Sequence, residues 1–369
     1  MSDDRIVFAP DDVDLARSPL RRDIAEPTYV LGAFNPALTR LPNGNLLLLV
    51  RIAEALREPV RDGCVRSIRW TRHGYVLDAF SADAADASDP RFFSLRGGAY
   101  PFLGLTSLSW LLPVELSGDG QRVVAVHYDR AVEPSADHAQ YGIEDPRIAV
   151  IDGIYWMTVC GVSGGRLCTV MYRSDDGFGW RSQGMVLDHG NKDMVPFEGR
   201  VGDRFAALTR PLSDAWFVAP PGGSEGSGPS INVATSPDMV HWRPLDAPAL
   251  RPLKGAAAYK LGGGTQPVRT RHGWLLLYHG VERQGAVGVY RTYRALIDHD
   301  VRQVLERDES APVLEAAPTL IAPIAHQAYL PQPVVFTTGI VADGGDWIVA
   351  SGEADLACRL TRVAGRRLE

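Results

Sequence analysis

One short pattern recurs five times along this 369-residue chain and constrains its fold more than any other feature. In each copy a turn pair of Gly with Asn, Asp or His precedes a mostly apolar strand, and these turn residues tolerate the positive φ of tight hairpins. The copies begin at Asn43, Asp152, Gly202, His272 and Gly345 and read NGNLLLLVR, DGIYWMTVC, GDRFAALTR, HGWLLLYHG and GDWIVASGE. Spacings of roughly fifty residues or more suit four-stranded blades with long loops. The repeat therefore predicts an all-β five-bladed β-propeller with its functional site in the central funnel.

Turn signals elsewhere support this organisation. The segments SDDGFGW (174–180) and SPDMVHW (236–242) resemble each other and predict hairpins on the outer part of a blade. The Gly/Ser-rich stretch 220–230 is expected to be a surface loop within a blade. We expect a single domain over residues 1–369, with 1–27 as an N-terminal extension. A pair of β-sandwiches is the alternative, because that fold also has strands separated by short turns.

Composition excludes several classes of function. With 38 basic and 44 acidic residues the net charge is −6, and no run of Lys and Arg suggests a nucleic-acid partner. The acidic N-terminus lacks the apolar core of a secretory signal, and no apolar run is long enough for a membrane span, so a cytoplasmic location without a membrane partner is expected. The four Cys are scattered without a CxxC pair, which predicts no metal site.

Polar residues terminate several of the apolar strands. Arg51 closes the first repeat, Arg210 closes the third, and His279 nearly closes the fourth. Equivalent ends of propeller strands open at one rim of the central channel, so these side chains are expected to converge. The guanidinium fork suits phosphate or carboxylate, and the three groups together predict an anion site. Taken singly, each Arg is equally explained by solvent exposure or an ion pair, and His279 by a buried core position.

The second repeat is preceded by YGIEDPRIAVIDG, in which Glu144 and Asp145 stand before Pro146. The following Pro is expected to restrict Asp145 to extended backbone and to hold its carboxylate rigidly. In a pocket with poor access to water its pKa would rise, as a general acid requires. A simple Asp-Pro turn in which Asp145 caps its own backbone remains an alternative.

Several motifs, taken in order, resemble glycoside hydrolase family 130. They are IEDPRI, the KD…E pattern of NKDMVPFEGR, LTRP, YKLGGGTQPV, GWLLLYHGV, YRTYRALID, and VVFTTG followed by GEAD. The similarity extends from about Phe34 to Ala357. It implies a five-bladed propeller and an enzyme acting on β-mannosides, most members being phosphorylases and some hydrolases.

The resemblance also implies residue roles. Asp145 matches the proton donor, which in the family acts through a sugar hydroxyl. Arg210, Lys260 and His279 match positions that bind inorganic phosphate, the co-substrate. Residues expected to bind the mannoside are Asn35, Arg51, Lys192, Asp193 and Asp355. No other cofactor is implied.

The function expected is inverting phosphorolysis of β-mannosides, giving mannose 1-phosphate and a shortened sugar. Family phosphorylases usually carry a second Arg where this chain has Ser230, Ile231 and Asn232. An inverting β-mannosidase is therefore the alternative, with a Glu as the base that activates water. Its candidate bases are Glu198, Glu282 and Glu353. A carbohydrate-binding propeller without catalysis is a third hypothesis. The linkage and the +1 sugar are left open, and a homo-oligomer is compatible with these features.

Overall fold

The protein is described here by a computed structural model that covers residues 4–89, 91–95, 102–135, 137–212, 229–252, 259–285, 287–329 and 333–368. Most of the predicted Gly/Ser loop, residues 220–228, lies outside this part of the chain. The strands are, in chain order, β1 (Asp4–Phe8), β2 (Thr28–Arg40), β3 (Leu46–Leu56), β4 (Val60–Arg61), β5 (Cys64–Thr71), β6 (Gly74–Ser81), β7 (Ala85–Asp89), β8 (Phe92–Leu95), β9 (Phe102–Leu105), β10 (Ser107–Leu116), β11 (Val123–Val126), β12 (Ile143–Ile151), β13 (Ile154–Val162), β14 (Leu167–Ser174), β15 (Arg181–Leu187), β16 (Asn191–Pro196), β17 (Phe205–Pro211), β18 (Ile231–Ser236), β19 (Arg243–Leu250), β20 (Lys260–Gly263), β21 (Val268–Arg269), β22 (Trp274–Glu282), β23 (Val289–Ile297), β24 (Val304–Asp308), β25 (Val335–Asp343), β26 (Asp346–Glu353) and β27 (Ala357–Ala364).

Helical structure in the described residues is limited to short turns. The α-helix α1 spans Pro318–Ile321, and the 3-10 helices are Pro10–Asp12, Leu15–Arg17, Pro19–Arg22, Ala82–Ala84, Tyr128–Arg130, Ala322–Gln327 and Gly365–Arg367. Within the described ranges, no helix has the length and apolar character needed to cross a membrane. The fold is therefore all-β.

Five antiparallel sheets follow one another along the chain. Sheet I contains β2, β3, β10 and β11; sheet II contains β12 to β15; sheet III contains β16 to β19; and sheet IV contains β20 to β24. Sheet V contains β25, β26 and β27, with β1 paired to β27 at its outer edge. The segment predicted as an N-terminal extension thus contributes a strand to the last sheet. Two small sheets, β4–β6 and β7–β9, are inserted between β3 and β10.

The five repeated segments form β3, β13, β17, β22 and β26, which are the second strands of the five sheets. Each of these strands is hydrogen-bonded to a strand that precedes it in the chain, namely β2, β12, β16, β20 or β25. The segments SDDGFGW (174–180) and SPDMVHW (236–242) connect the third and fourth strands of sheets II and III, so they form hairpins as predicted. In each turn one Asp carboxylate, Asp176 or Asp238, accepts hydrogen bonds from backbone N–H groups.

Side chains of the repeat strands fill the core between sheets. The run from Leu46 to Val50 in β3 is fully buried, as is most of the run from Leu275 to Tyr278 in β22. Full burial of one such side chain contributes roughly 1.5–3 kcal/mol. Apolar faces on both sides of a strand require a neighbouring sheet on each side, which is why the repeat reads as a continuous apolar run rather than an alternating one.

Candidate active site

A cavity of about 270 Å³ lies where the first strands of the sheets approach one another. Its wall includes eight of the residues singled out from the sequence: Asn35, Arg51, Asp145, Lys192, Asp193, Arg210, Lys260 and Asp355. Seven of them come from strands of sheets I to IV, and Asp355 comes from the turn between β26 and β27 of sheet V. Of the three strand-end side chains predicted to converge, Arg51 and Arg210 line this cavity.

Local backbone irregularities turn several of these side chains into the cavity. Asn35, Asp145 and Asp193 lie at bulges in β2, β12 and β16, where the pairing register with the next strand shifts. All three have positive φ, at 47°, 52° and 58°, and Asp355 in the turn after β26 has φ 50°. Asn and Asp accept this left-handed conformation more readily than most residues. A bulge redirects one side chain without ending the strand.

The backbone expected at Asp145 was wrong. Extended conformation was predicted because a following Pro disfavours the right-handed helical region. The structure instead has Asp145 in the left-handed region, which the bulge requires and an Asp tolerates. The consequence for the site is the same, since Pro146 still fixes the chain immediately after the carboxylate.

The Asp145 carboxylate is embedded among hydrogen-bond donors and cations. Its Oδ1 accepts hydrogen bonds from Asn35 Nδ2 at 2.8 Å and from Arg51 Nη1 at 2.9 Å. Burial favours the neutral acid, but the charges of Arg51, Lys192 and Arg147 and the bond from Asn35 outweigh it and lower the pKa of Asp145 to about 2. The raised pKa of Asp145 expected from the sequence is therefore wrong, because the expectation did not include these cations.

Glu144, adjacent to Asp145, binds two of the same cations. Arg51 Nη2 donates to Glu144 Oε1 at 2.8 Å, and Lys192 Nζ donates to Oε2 at 3.2 Å. Burial would raise the pKa of Glu144, and these two cations hold it below its ordinary value. Arg51 thus joins a carboxylate cluster rather than the anion site predicted from the strand ends.

The remaining cations line a second part of the wall. Arg210 Nη1 lies 2.9 Å from Asp193 Oδ2, and its Nε is buried with no hydrogen-bond partner among the described residues. Lys260 Nζ lies 5.1 Å from the ring centre of Tyr290. Burial and the charge of Arg210 lower the pKa of Lys260 to about 8. Together with Lys192, these groups concentrate positive charge at the cavity.

His279 does not line the cavity, although it was predicted with the anion-binding group. Its side chain is fully buried, and its Nε2 lies 3.2 Å from Arg210 Nη1 and 3.4 Å from Asp193 Oδ2. Burial and the neighbouring cations lower its pKa well below the ordinary range, so the imidazole is neutral. The site consequently has one cation fewer than the sequence predicted.

The pKa of Asp355 is shifted in the opposite direction from that of Asp145. Burial and the nearby negative charge of Asp145 raise the pKa of Asp355 to about 6. Tyr329 and Arg91 also line this side of the cavity. Arg91 belongs to the turn between β7 and β8, so the inserted small sheet contributes directly to the wall.

The three Glu residues predicted as bases for a hydrolase do not line the cavity. Each is held elsewhere: Glu198 accepts a hydrogen bond from Gln266, Glu282 pairs with Arg291, and Glu353 pairs with Arg359. Glu282 is also substantially exposed on the surface. The structure brings none of the three to the Asp145 carboxylate.

Arg147 is a residue of the site that the sequence analysis missed. It is almost completely buried, and it donates to the carbonyls of Asp145 and Gly264 at 2.9 and 2.6 Å. Its Nη2 lies 3.7 Å from Asp193 Oδ1. Arg147 therefore links the acid-bearing bulge to the strand that carries Lys260. An Arg inside the otherwise apolar run of β12 was the available signal, since a buried charge needs partners.

Two glycines make room for the polar side chains. A Cβ at Gly262 would collide with Asp193 Oδ2 and His279 Nε2, and a Cβ at Gly352 would collide with Asn35 Oδ1. Gly262 belongs to the YKLGGG motif, and Gly352 is the first residue of the GEAD motif. Both motifs therefore provide space for the site as well as ligands.

An all-β fold whose polar cavity sets a buried carboxylate near a group of cations is typical of an enzyme acting on sugars and anions. Residues 107–368 match the family model Glyco_hydro_130, described as β-1,4-mannooligosaccharide phosphorylase. The chain therefore belongs to glycoside hydrolase family 130, as its motifs indicated.

Individual relatives support this assignment. The chain is 27% identical over 342 residues to a β-1,2-mannobiose phosphorylase of Listeria innocua, covering 90% of this chain and 89% of the relative. It is 31% identical over 221 residues to a 1,2-β-oligomannan phosphorylase of Thermoanaerobacter, covering 58% and 65%. Among solved structures, the Listeria innocua β-1,2-mannobiose phosphorylase in complex with β-1,2-mannobiose superposes with a TM-score of 0.76 at 25% identity, covering 99% of this chain and 98% of that one.

Proposed function

We propose that this chain cleaves β-mannosides by inverting phosphorolysis, producing α-mannose 1-phosphate and a shortened sugar. One observation carries the proposal: Asp145 shares a single cavity with Arg210, Lys260 and Lys192. Such a reaction needs one acid and a site for an anionic nucleophile, because phosphate replaces the second catalytic carboxylate. The phosphorylase names of the relatives agree with this chemistry.

The proposed architecture is a single five-bladed propeller formed by residues 1–369, with each sheet as one blade. Two features support it. The first strands of the sheets together supply the wall of the cavity, as inner strands of blades would. The N-terminal β1 pairs with the C-terminal β27, which would close the ring by joining the two ends of the chain in one blade.

In the proposed mechanism Asp145 supplies the proton for the leaving oxygen through a hydroxyl of the bound sugar. Asn35 and Arg51 hold its carboxylate in place. With a pKa of about 2, Asp145 is ionised in the free enzyme. A bound phosphate dianion offsets the positive potential of Lys192 and its neighbours, and a bound sugar removes water, so both substrates raise this pKa. The acid is thus expected to take up its proton as the substrates bind.

The phosphate is proposed to bind Arg210 and Lys260, with Lys192 adding positive charge at the same wall. Arg210 and Lys260 both line the cavity, and their charged groups are hydrogen-bond donors suited to an anion. Charge-assisted donors fixed before the reaction hold the anionic nucleophile in place without reorganisation. We propose that Asp193 binds no sugar directly, because its side chain is almost fully buried and pairs with Arg210.

Hydrolysis is the less favoured alternative. It needs a second carboxylate free to activate water, whereas Glu198, Glu282 and Glu353 are all paired outside the cavity. Glu144 is inside the cavity but is neutralised by two cations. The paired Glu residues favour phosphate as the nucleophile, even though the second Arg of family phosphorylases is missing at Ser230, Ile231 and Asn232.

A product assay tests the proposal. β-1,2- and β-1,4-Mannobiose are each incubated with the enzyme in phosphate and in phosphate-free buffer. We expect sugar consumption only with phosphate, and loss of at least about a hundredfold in rate for Asp145→Asn, because general-acid catalysis contributes about 10²–10⁴-fold. Glu282→Gln serves as a matched acidic control, since Glu282 lies outside the cavity. Equal release of mannose without phosphate would identify a hydrolase instead.

A further inference from the structure

Part of the cavity wall is built by the segment inserted between β3 and β10. Arg91 and Leu105 of this segment line the cavity, as does Ser107 at the start of β10. The inserted segment, residues 57–106, precedes the region 107–368 that matches the family model, and it contains none of the motifs that indicated the family. Its contribution to the cavity is therefore separate from the residues that define the family motifs.

Asp89 holds the Arg91 side chain in place. Arg91 Nε donates to Asp89 Oδ1 at 2.9 Å, and Nη2 donates to Oδ2 at 2.6 Å. The backbone N–H of Arg91 also donates to Oδ1, at 2.8 Å. These two parallel bonds occupy one edge of the guanidinium and fix its orientation. In the part of the chain that the structure describes, Nη1 has no hydrogen-bond partner, and 32% of the side chain is exposed. A positioned donor is therefore available to a ligand.

Tyr329 supplies an aromatic surface near Arg91. Its ring packs against an apolar cluster that includes Leu31 and Phe34, which also line the cavity. Burial and the charge of Asp355 raise the pKa of Tyr329, and the charge of Arg91 acts against them, so the three polar groups are neighbours. The hydroxyl is therefore protonated at neutral pH and can donate a hydrogen bond. An apolar wall with a few fixed polar groups is the usual form of a small-molecule site, and it suits a sugar with its C–H faces and hydroxyl rim.

The groups proposed to bind phosphate come from a different part of the wall. Arg210 and Lys260 belong to β17 and β20 of sheets III and IV, and these two strands contact each other. Sheet I, which carries the inserted segment, packs through β2 against β12 and β25 of sheets II and V. In an inverting displacement the nucleophile and the leaving group lie on opposite faces of the sugar ring. A mannosyl group held at Asp145, with phosphate at Arg210, therefore directs its leaving part toward Arg91 and Tyr329.

We propose that Arg91 and Tyr329 bind the leaving sugar, and that Arg91 is a specificity-determining residue whose Nη1 donates a hydrogen bond to one hydroxyl of that sugar. This inference rests on the proposed function and deepens it by naming the residues that select the leaving sugar. The competing role for Arg91 is a phosphate ligand that replaces the Arg missing at 230–232. The origin of Arg91 in the insertion of sheet I, away from the sheets that carry Arg210 and Lys260, favours the sugar.

The synthetic direction isolates the leaving-sugar site, because α-mannose 1-phosphate fills the rest of the cavity and mannose enters as the acceptor. We expect Arg91→Met to raise the KM for mannose about ten- to hundredfold, the effect of losing a hydrogen bond from a charged donor. The KM for phosphate in the cleavage direction should change little. Arg69→Met is the matched control, since Arg69 pairs with Asp78 in the same inserted segment but is absent from the described cavity wall. An unchanged KM for mannose in Arg91→Met would overturn the inference, and a raised KM for phosphate would then make Arg91 a phosphate ligand.

Deoxy analogues of mannose identify the hydroxyl that Arg91 binds. The unmodified enzyme should use one of the analogues that lack a single hydroxyl about ten- to hundredfold less efficiently than mannose. Arg91→Met should use that analogue and mannose equally well, because both partners of the hydrogen bond are then absent. The comparison of two acceptors within one variant is insensitive to a partial loss of folded protein. Penalties that all persist in full in Arg91→Met would overturn the inference.

The two proposals fail separately. If the enzyme releases no mannose 1-phosphate, the proposed function is wrong. The affinity of β-1,2-mannobiose for Asp145→Asn, measured with and without Arg91→Met, then still decides whether Arg91 binds the sugar, and a tenfold or greater weakening is expected. If mannose 1-phosphate is released and Arg91→Met leaves the mannobiose affinity unchanged, the present inference alone is overturned.

Discussion

Lys260 is a cation of the cavity wall whose charge changes at mildly alkaline pH. Its pKa is lowered to about 8, so it is protonated below that pH and loses its charge above it. We therefore expect kcat/KM for phosphate to fall about tenfold per pH unit above pH 8, because this parameter reports ionisation in the free enzyme.

Two variants test whether Lys260 causes this decline. Lys260→Arg should shift the decline to much higher pH, since guanidinium stays charged. Lys260→Met should lower kcat/KM for phosphate at every pH and remove the decline. A decline near pH 8 that persists in Lys260→Met would assign it to another group.

The residues that line the cavity were easier to predict from the sequence than their ionisation. Asn35, Asp145 and Lys260 were singled out from the sequence, and all three line the cavity. The ionisation of Asp145 was predicted in the wrong direction, because its pKa depends on Arg51 and Lys192, which are distant in sequence. Proximity across sheets sets such electrostatics, and a single sequence does not contain it.

At the scale of the element, the YKLGGG strand is expected to depend on the absence of a side chain at Gly262. Gly262→Ala would push a methyl group into Asp193 and His279 and displace Arg210. We expect kcat/KM for phosphate to fall by more than about tenfold, since a misplaced positioning residue costs about 10²-fold. Gly165→Ala is the matched control, because a Cβ there meets no atom within 4 Å. Equal activity of the two variants would refute this role of Gly262.

The closure of sheet V depends on a buried ion-pair network. Arg359 in β27 donates to both carboxylate oxygens of Asp4 in β1, at 2.7 and 2.6 Å, and to buried Glu353 at 2.8 Å. We expect Arg359→Met to lower the free energy of unfolding by about 3–5 kcal/mol, because it leaves a buried carboxylate without its partner. Denaturant titration measures the change.

Arg362→Met provides the control for Arg359→Met within the same strand. Arg362 pairs with Asp343 in a partly exposed position, so its loss should cost at most about 1 kcal/mol. If the two variants are equally stable, β1 is not anchored by the Arg359 network.

Element positions were predicted less well than element types. The five repeats are strands, and the segments 174–180 and 236–242 are hairpin turns, as their turn residues indicated. The repeat did not include the first strands of the sheets. In β2, β12 and β16, bulges and polar residues at Asn35, Asp145 and Asp193 interrupt the apolar pattern. Those same interruptions place functional side chains in the cavity, so the sequence signal is weakest where the site is built.

For the molecule as a whole, the repeat correctly indicated an all-β fold of five successive sheets. The pairing of β1 with β27 could not be predicted, since it joins segments more than three hundred residues apart through Asp4 and Arg359. The two inserted sheets between β3 and β10 also escaped the repeat analysis, although Arg91 from this insertion reaches the cavity.

In the proposed reaction, phosphate attacks the anomeric carbon from the face opposite the leaving sugar. The most direct test follows β-1,2-mannobiose and phosphate with the enzyme by ³¹P and ¹H NMR, recording the first product formed. We predict α-mannose 1-phosphate together with one equivalent of mannose from the leaving side. The β-phosphate as first product, or two equivalents of free mannose without any phosphate ester, would contradict it.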